Sequence, residues 1–273
     1  MLTNPTVTTG GAEIPALGFG TARMTGEECQ QAVEAALEVG YRHIDTAQLY
    51  DNEAAVGAAL ETADVSREEV FVVTKVHSSN LASEDVHEST RASLERLGVE
   101  TVDLLLIHAP NSSVPLEETI EAMNELQKEG AVEHIGVSNF SIEQLESAIE
   151  YSETPIVTNQ VKYHPYYDQA DLLEFCIDEG VCLTAYSPLA EGAVIGDERL
   201  EAIGEPHDAS APQVALAWLL TQPSVAAIPK ASSRRHIAEN YGALEVELTD
   251  EELREVFELR GGLLRSLARR LGL

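Results

Sequence analysis

Short apolar runs and longer amphipathic stretches alternate along most of the chain. Runs such as VFVVTK at 70–75 and VDLLLIH at 102–108 lack a polar face, which is typical of strands buried on both sides of a parallel sheet. The stretches between them repeat apolar residues every three or four positions, which is typical of amphipathic helices. The pattern predicts strands at 16–20, 41–45, 70–75, 102–108, 132–138, 156–160, 181–187 and 224–229, and helices at 25–39, 52–62, 83–97, 116–129, 142–151, 169–179, 212–221 and 234–241.

Eight strand–helix units without an internal linker predict an α/β fold of the (β/α)8 TIM-barrel type, with residues 1–273 forming a single domain. An N-terminal β-hairpin at 6–14, an insertion that runs through 204 and an extra C-terminal helix at 249–259 complete the prediction. A Rossmann domain is disfavoured because the G-x-G-x-x-G pattern fails at Arg23. The last residues, GGLLRSLARRLGL, predict a basic amphipathic helix that offsets an acidic body.

Three of the predicted strands end on residues that can carry chemistry. Asp45, Lys75 and His108 each close an apolar run, and Tyr50 follows the first of them by five residues. In a parallel barrel the carboxyl ends of the strands converge on one face, so these four side chains are expected to meet. A phenol is a poor proton donor at neutral pH unless a nearby cation stabilises its anion. Lys75 can be that cation, and Asp45 can offset its burial.

Two of these residues have a structural explanation when they are taken alone, whereas a buried lysine at a strand end is hard to explain without an anionic partner. Asp45 could cap a loop or helix, and His108 could be a satisfied core histidine. Their coincidence at strand ends favours catalysis instead. The remaining histidines, such as His87 and His207, lack metal-ligand spacing, so we predict no metal site.

Composition narrows the possible partners and the cellular compartment. The chain has 47 acidic and 17 basic residues, and a net charge of −30 argues against a nucleic-acid partner. So acidic a surface suggests the cytoplasm of a salt-accumulating halophile, the alternative being an acidic protein from a mesophile. Three cysteines without a C-x-x-C motif indicate buried thiols in a reducing cytoplasm. No apolar run is long enough to span a membrane and no signal peptide is recognisable, so we expect a cytoplasmic monomer.

Several separate motifs, taken together, resemble the aldo-keto reductase family over essentially the whole chain. They are LGFGT (17–21), DTAQLYDNE (45–53), TK (74–75), IH (107–108), MNELQKEGAVEHIGVSNF (123–140), NQVKYHP (159–165), AYSPLAEG (185–192) and IPKASSRRHIAEN (228–240). The short C-terminus resembles the prokaryotic type typified by diketogluconate reductases. The resemblance implies NAD(P)H-dependent reduction of aldehydes or ketones.

The resemblance also implies a role for each site residue. Asp45, Tyr50, Lys75 and His108 would form the catalytic tetrad. Tyr50 would donate the proton, Lys75 would lower the pKa of the phenol, and His108 would orient the carbonyl. The implied cofactor-binding residues are Gly20, Thr21, Ser138, Asn139, Gln160, Tyr186, Ser187, Leu189, Lys230, Arg235, His236, Glu239 and Asn240.

The chain departs from the family pattern at the substrate mouth and at the cofactor phosphate. Ala22, His77 and Ala109 stand where aromatic walls are common, which predicts an open, polar pocket for short or sugar-like carbonyls. Ala231 replaces a phosphate-binding serine, and His236 replaces an arginine, which is a permanent bidentate cation. We therefore expect a modest preference for NADPH, with NADH usable.

Two other functions remain open at this point. A non-catalytic NADP-binding barrel could serve as a regulatory or structural subunit, although an intact tetrad argues against it. A Schiff-base aldolase could use Lys75, but such a lysine should lack a carboxylate that favours its charged form.

Overall fold

A two-stranded antiparallel hairpin precedes the barrel in the computed structural model, which describes residues 2–259. Strands β1 (Thr6–Thr9) and β2 (Ala12–Pro15) pair across a turn in which Gly10 and Gly11 have φ angles of +51° and +91°. This turn needs positive φ at both central residues, which glycine supplies at no steric cost. The hairpin contributes buried side chains to an apolar cluster at the amino-terminal end of the barrel strands. The predicted hairpin is confirmed.

Eight parallel strands form the barrel, and each one pairs with its neighbour in the chain. They are β3 (Phe19–Gly20), β4 (His43–Asp45), β5 (Phe71–Val76), β6 (Val102–Ile107), β7 (Val132–Ser138), β8 (Ile156–Lys162), β9 (Cys182–Tyr186) and β10 (Val225–Ala227). A parallel bridge between Leu17 and Ala227 joins the first strand region to the last. There the Gly18 N–H donates to the Ala227 carbonyl at 2.8 Å. The predicted (β/α)8 fold is therefore confirmed.

Ten helices surround the strands in the described part of the chain. They are α1 (Gly26–Val39), α2 (Glu53–Thr62), α3 (Ser83–Leu97), α4 (Leu116–Lys128), α5 (Ile142–Tyr151), α6 (Ala170–Glu179), α7 (Glu198–Gly204), α8 (Ala211–Leu220), α9 (Arg234–Tyr241) and α10 (Asp250–Glu258). Capping boxes formed by Ser141 with Gln144 and by Thr249 with Glu252 begin α5 and α10. The extra C-terminal helix is thus present as α10.

The insertion after β9 differs from its prediction, because it contains a helix of its own. Helix α7 begins after Asp197, whose side chain accepts a hydrogen bond from the Arg199 backbone N–H. No helix of residues 2–259 is both long and apolar enough to cross a membrane. The predicted basic helix in the last 13 residues lies outside the described part of the chain.

Candidate active site

Asp45, Lys75 and His108 meet Tyr50 at the carboxyl end of the barrel. The Lys75 ammonium donates to Asp45 Oδ1 at 2.6 Å and to the Thr46 carbonyl at 2.8 Å. It also lies 3.4 Å from the Tyr50 hydroxyl. Asp45 and Lys75 are 1% and 0% exposed, so this ion pair is shielded from water. The His108 ring packs edge-on against Tyr50, with the ring centroids 5.6 Å apart.

Burial and charge set the protonation of the ion pair and the phenol. Burial alone would lower the pKa of Lys75, but Asp45 and Tyr50 together raise it, so the ammonium stays charged. Burial raises the pKa of Tyr50, and this effect outweighs the opposite effect of Lys75. The expected lowering of the phenol pKa is therefore present as a contribution but not as the net result. Tyr50 keeps its proton at neutral pH, as a proton donor must.

His108 is held in its neutral form. Burial and then the charge of Lys75 lower the pKa of this imidazole to about 4. Its Nδ1 atom is buried and has no hydrogen-bond partner among the described residues. Asn139 fixes the backbone beside it by donating to the His108 carbonyl at 2.9 Å. A neutral imidazole facing a cleft can orient a carbonyl oxygen without adding a second cation near Lys75.

A cleft of about 890 Å³ runs from this tetrad across the carboxyl face of the barrel. Twelve of the thirteen predicted cofactor residues line it, as does Ala22 from the predicted mouth. Thr21 is not part of its wall, because its side chain is buried and donates to the Asp45 carbonyl at 2.9 Å. His77 and Ala109 also lie outside this wall, although His77 is close enough to lower the pKa of His108.

The inner end of the cleft offers amide and hydroxyl groups. Gln160 donates to Asp45 Oδ2 at 2.7 Å, and Ser138 donates to the Gln160 carbonyl at 2.8 Å. Tyr186 donates to Asn139 Oδ1 at 2.9 Å, which fixes the phenol ring at the cleft wall. Asn139 has a φ of +63°, a conformation that asparagine tolerates better than most residues. These groups fit a carboxamide-bearing ring such as nicotinamide.

The outer end of the cleft carries positive charge. Lys230, Arg235 and His236 line it and are exposed, at or near the start of α9. Arg234 does not line the cleft, since its guanidinium pairs with Glu38 on α1. A helix N-terminus flanked by cations is a site for phosphate groups. The groups along the cleft therefore fit a nicotinamide dinucleotide.

The loop after β9 supplies wall residues that the sequence did not single out. Glu191 lines the cleft and lies 3.5 Å from Arg23 and 3.7 Å from Lys162. The loop carries positive φ at Ser187, Ala190 and Glu191, none of which is glycine. Lys162 thus has Glu191 as a local anion. All three ion-pair members are at least a third exposed, so each pair is weak.

Further wall residues come from α7 and from the start of α8. They are Glu201, Ser210, Ala211 and Pro212. The helix pattern of the sequence predicted a helix here, but nothing in the sequence relates its start to the tetrad. Among residues 2–259, no group of three or more His, Cys, Asp or Glu side chains is arranged to hold a metal ion.

Comparison with known proteins places this geometry in a family. The aldo/keto reductase family model matches residues 16–260. The chain is 38% identical to methylglyoxal reductase DkgB of Escherichia coli O157:H7, over 90% of this chain and 93% of that protein. It is 37% identical to glyoxal reductase of Bacillus subtilis (strain 168), over 90% and 89% of the two chains.

Solved structures agree with these sequence relatives. The crystal structure of a candidate 2,5-diketo-D-gluconic acid reductase B superposes with a TM-score of 0.93 and 43% identity, over 96% of this chain and 93% of that one. An aldo/keto reductase from Brucella melitensis superposes with a TM-score of 0.90 and 36% identity, over 95% and 99%. The chain therefore belongs to the aldo/keto reductase family and is an oxidoreductase that reduces carbonyl groups with NAD(P)H.

Proposed function

We propose that this enzyme reduces small, polar aldehydes and ketones, including α-oxoaldehydes such as methylglyoxal, with NADPH as the favoured cofactor. The observation that carries the proposal is the Lys75 ammonium between Asp45 and Tyr50 at the inner end of the cleft. The names of the relatives, methylglyoxal and glyoxal reductase, support small dicarbonyl substrates. Ala22 in the cleft wall supports them too, because it provides no flat apolar surface for an aromatic ring.

In the proposed reaction, the side chains of the tetrad donate one proton to the substrate and stabilise the anion that is left. Tyr50 donates its phenolic proton to the carbonyl oxygen, and the Lys75 ammonium stabilises the phenolate that remains. Asp45 keeps Lys75 charged, and neutral His108 orients the carbonyl oxygen toward Tyr50. When it is bound, the reduced nicotinamide supplies the hydride to the carbonyl carbon. The products are an alcohol and the oxidised cofactor.

The preference for NADPH over NADH is proposed to be modest. Lys230, Arg235 and His236 offer cations to an adenosine phosphate. His236 lacks the bidentate guanidinium of the arginine found in the resembled family, and Ala231 offers no hydroxyl. Arg234 does not line the cleft, and its guanidinium lies on Glu38.

We further propose that residues 1–273 form a single domain and that the protein is a monomer. We also propose that it works in the reducing cytoplasm of a salt-accumulating host. The closed barrel supports the single domain. The free, buried thiols of Cys29, Cys176 and Cys182 support the reducing setting. The net charge of −30 supports a host with a high internal salt concentration.

Mixing the enzyme with NADPH and following cofactor fluorescence tests binding, and adding methylglyoxal or benzaldehyde then tests turnover. We expect binding, oxidation of NADPH with both aldehydes, and a higher kcat/KM for methylglyoxal. Binding without oxidation of NADPH by any small carbonyl would contradict the proposed function and favour a non-catalytic barrel.

A further inference from the structure

Tyr50 lies on a very short backbone element. It ends a single turn of 3-10 helix, Gln48–Tyr50, in which the central Leu49 is 56% exposed. Two backbone hydrogen bonds hold the turn, from the Tyr50 N–H to the Ala47 carbonyl and from the Asp51 N–H to the Gln48 carbonyl. So short a turn has poor hydrogen-bond geometry and little stability of its own. The position of Tyr50 therefore depends on side chains that tie the turn to the barrel.

Asn52, two residues after Tyr50, provides one of these ties. Its amide donates to the carbonyls of Thr21 and Met24, each at 2.9 Å, and its oxygen accepts from the Thr46 hydroxyl at 2.6 Å. This side chain is 2% exposed. Asn52 thus fixes the downstream end of the turn to the loop that follows β3.

Gln48, two residues before Tyr50, provides the tie on the opposite side. Its Oε1 atom accepts from the His77 backbone N–H at 2.8 Å and from the Asn80 amide at 3.2 Å. Its Nε2 atom donates to the Ser93 hydroxyl on α3 at 3.2 Å. His77 is two residues beyond Lys75. Gln48 therefore links the segment that carries the phenol to the segment that carries the ammonium.

The hydrogen bonds continue from α3 back to the strand of Lys75. The Ser93 hydroxyl also accepts from Arg96 at 3.1 Å, and Arg96 donates to the buried Glu53 carboxylate at 2.6 Å and 2.8 Å. The other oxygen of Glu53 accepts from the Thr74 hydroxyl at 2.5 Å. Thr74 directly precedes Lys75. One continuous network thus begins at the turn of Tyr50 and ends next to its partner.

We propose that Gln48 is a positioning residue that sets the separation between the Tyr50 hydroxyl and the Lys75 ammonium. This separation is 3.4 Å, at the long end of the hydrogen-bond range, where stabilisation of the phenolate depends strongly on small displacements. An amide suits the role because it accepts from a backbone N–H on one loop while it donates to a hydroxyl on the helix. The inference rests on the proposed role of Tyr50 as the proton donor.

A double-mutant cycle tests whether Gln48 acts through Tyr50. We expect Gln48→Met to lower kcat for methylglyoxal by about tenfold, since small misplacements of catalytic groups carry costs of this order. The KM for methylglyoxal and the Kd for NADPH measured by fluorescence should change little. In the Tyr50→Phe background the same substitution should have almost no further effect, because the group that it positions is already absent.

Two further variants serve as a control and as a substitute if Gln48→Met does not fold. Gln31→Met is a matched control on the exposed face of α1, where Gln31 donates to Glu27 of its own helix, and it should leave kcat unchanged. Gln48→Glu keeps an acceptor for the His77 N–H and enters the same cycle if the methionine variant does not fold. Equal fold-losses from the Gln48 substitution in both backgrounds would overturn the inference while leaving the proposed function intact. A Tyr50→Phe enzyme with undiminished kcat would overturn both.

Discussion

Lys75 is the residue whose surroundings are hardest to explain without catalysis. It is a fully buried ammonium with an anion, a carbonyl and a phenol around its Nζ atom. Lys75→Met should lower kcat at least ~10²-fold, because the phenolate loses its cation. It should also destabilise the fold by about 3 kcal/mol, since Asp45 is left buried with Gln160 as its remaining side-chain partner.

The double variant Lys75→Met/Asp45→Asn separates these two losses. Removing the stranded charge should restore much of the free energy of unfolding in urea, while kcat stays low. A single Lys75→Met variant as stable as the wild type would show that the buried ion pair does not hold this part of the fold.

Buried imidazoles make stability depend on pH. The pKa of His108 is about 4 in the folded protein, and burial also lowers the pKa of His43. An unfolded histidine has a pKa near ~6.5, so between pH 6.5 and 4 the unfolded chain binds more protons than the folded one. The free energy of unfolding that depends on these histidines is therefore fully present above this window and decreases as the pH falls through it. For His108 the decrease is about 1–2 kcal/mol.

Urea unfolding at pH 7.5 and pH 5 measures this effect, with His108→Gln as the comparison. The difference between the two pH values should be smaller in the variant. An identical pH dependence in both proteins would mean that His108 is as easily protonated in the fold as in the unfolded chain.

At this scale the sequence predicted that Asp45, Lys75 and His108 meet, because each ends an apolar run and strand ends converge in a barrel, with Tyr50 five residues after the first. It did not predict Gln48, whose hydrogen-bond partners lie 29, 32 and 45 residues away in the chain. Thr21 was mispredicted for the same reason. Its hydroxyl donates to the carbonyl of Asp45, which is distant in sequence, instead of facing the cleft. Tertiary contacts of this kind leave no local pattern.

At the scale of elements, the bounds of several helices were predicted best, because they depend on local sequence patterns. Helices α3, α5 and α9 have the predicted bounds, and the side chains of Ser141 and Ser233 cap α5 and α9 in the structure. No elements were predicted within the insertion after β9, where the non-glycine residues Ser187, Ala190 and Glu191 have positive φ. Helix α7 has only seven residues, too few for a periodic pattern to emerge from the surrounding insertion.

The start of α9 offers a matched pair of arginines for testing cofactor selectivity. Arg235 lines the cleft, whereas the adjacent Arg234 pairs with Glu38. Arg235→Ala should weaken NADPH binding more than NADH binding, because the difference between the two cofactors is one phosphate. Arg234→Ala should change the ratio of the two Kd values little. Fluorescence titration with both cofactors measures these values, and equal effects of the two substitutions would contradict the geometry.

For the whole molecule, the pattern of eight strand–helix units was sufficient to predict the barrel. The closing contact between Leu17 and Ala227 follows from that count rather than from any motif near either residue. The volume of the cleft and the position of Glu191 between two cations could not be predicted, since they depend on how separate loops pack.

A net charge of −30 should make stability depend on salt. Repulsion among surface carboxylates is screened when the Debye length falls to ~3 Å near 1 M salt. We expect Tm to rise by several degrees between low-salt buffer and molar KCl, with kcat retained in KCl. An unchanged Tm across this range would exclude adaptation of the surface to salt.

Tyr50 is proposed to be the proton donor of an NADPH-dependent carbonyl reductase. Tyr50→Phe removes only the hydroxyl and keeps the ring against His108. The decisive measurement is kcat for methylglyoxal together with the fluorescence-derived Kd for NADPH in this variant. We predict that kcat falls by at least ~10²-fold, the scale of general-acid catalysis, while Kd is nearly unchanged. A variant that keeps more than half of the wild-type kcat would contradict the claim.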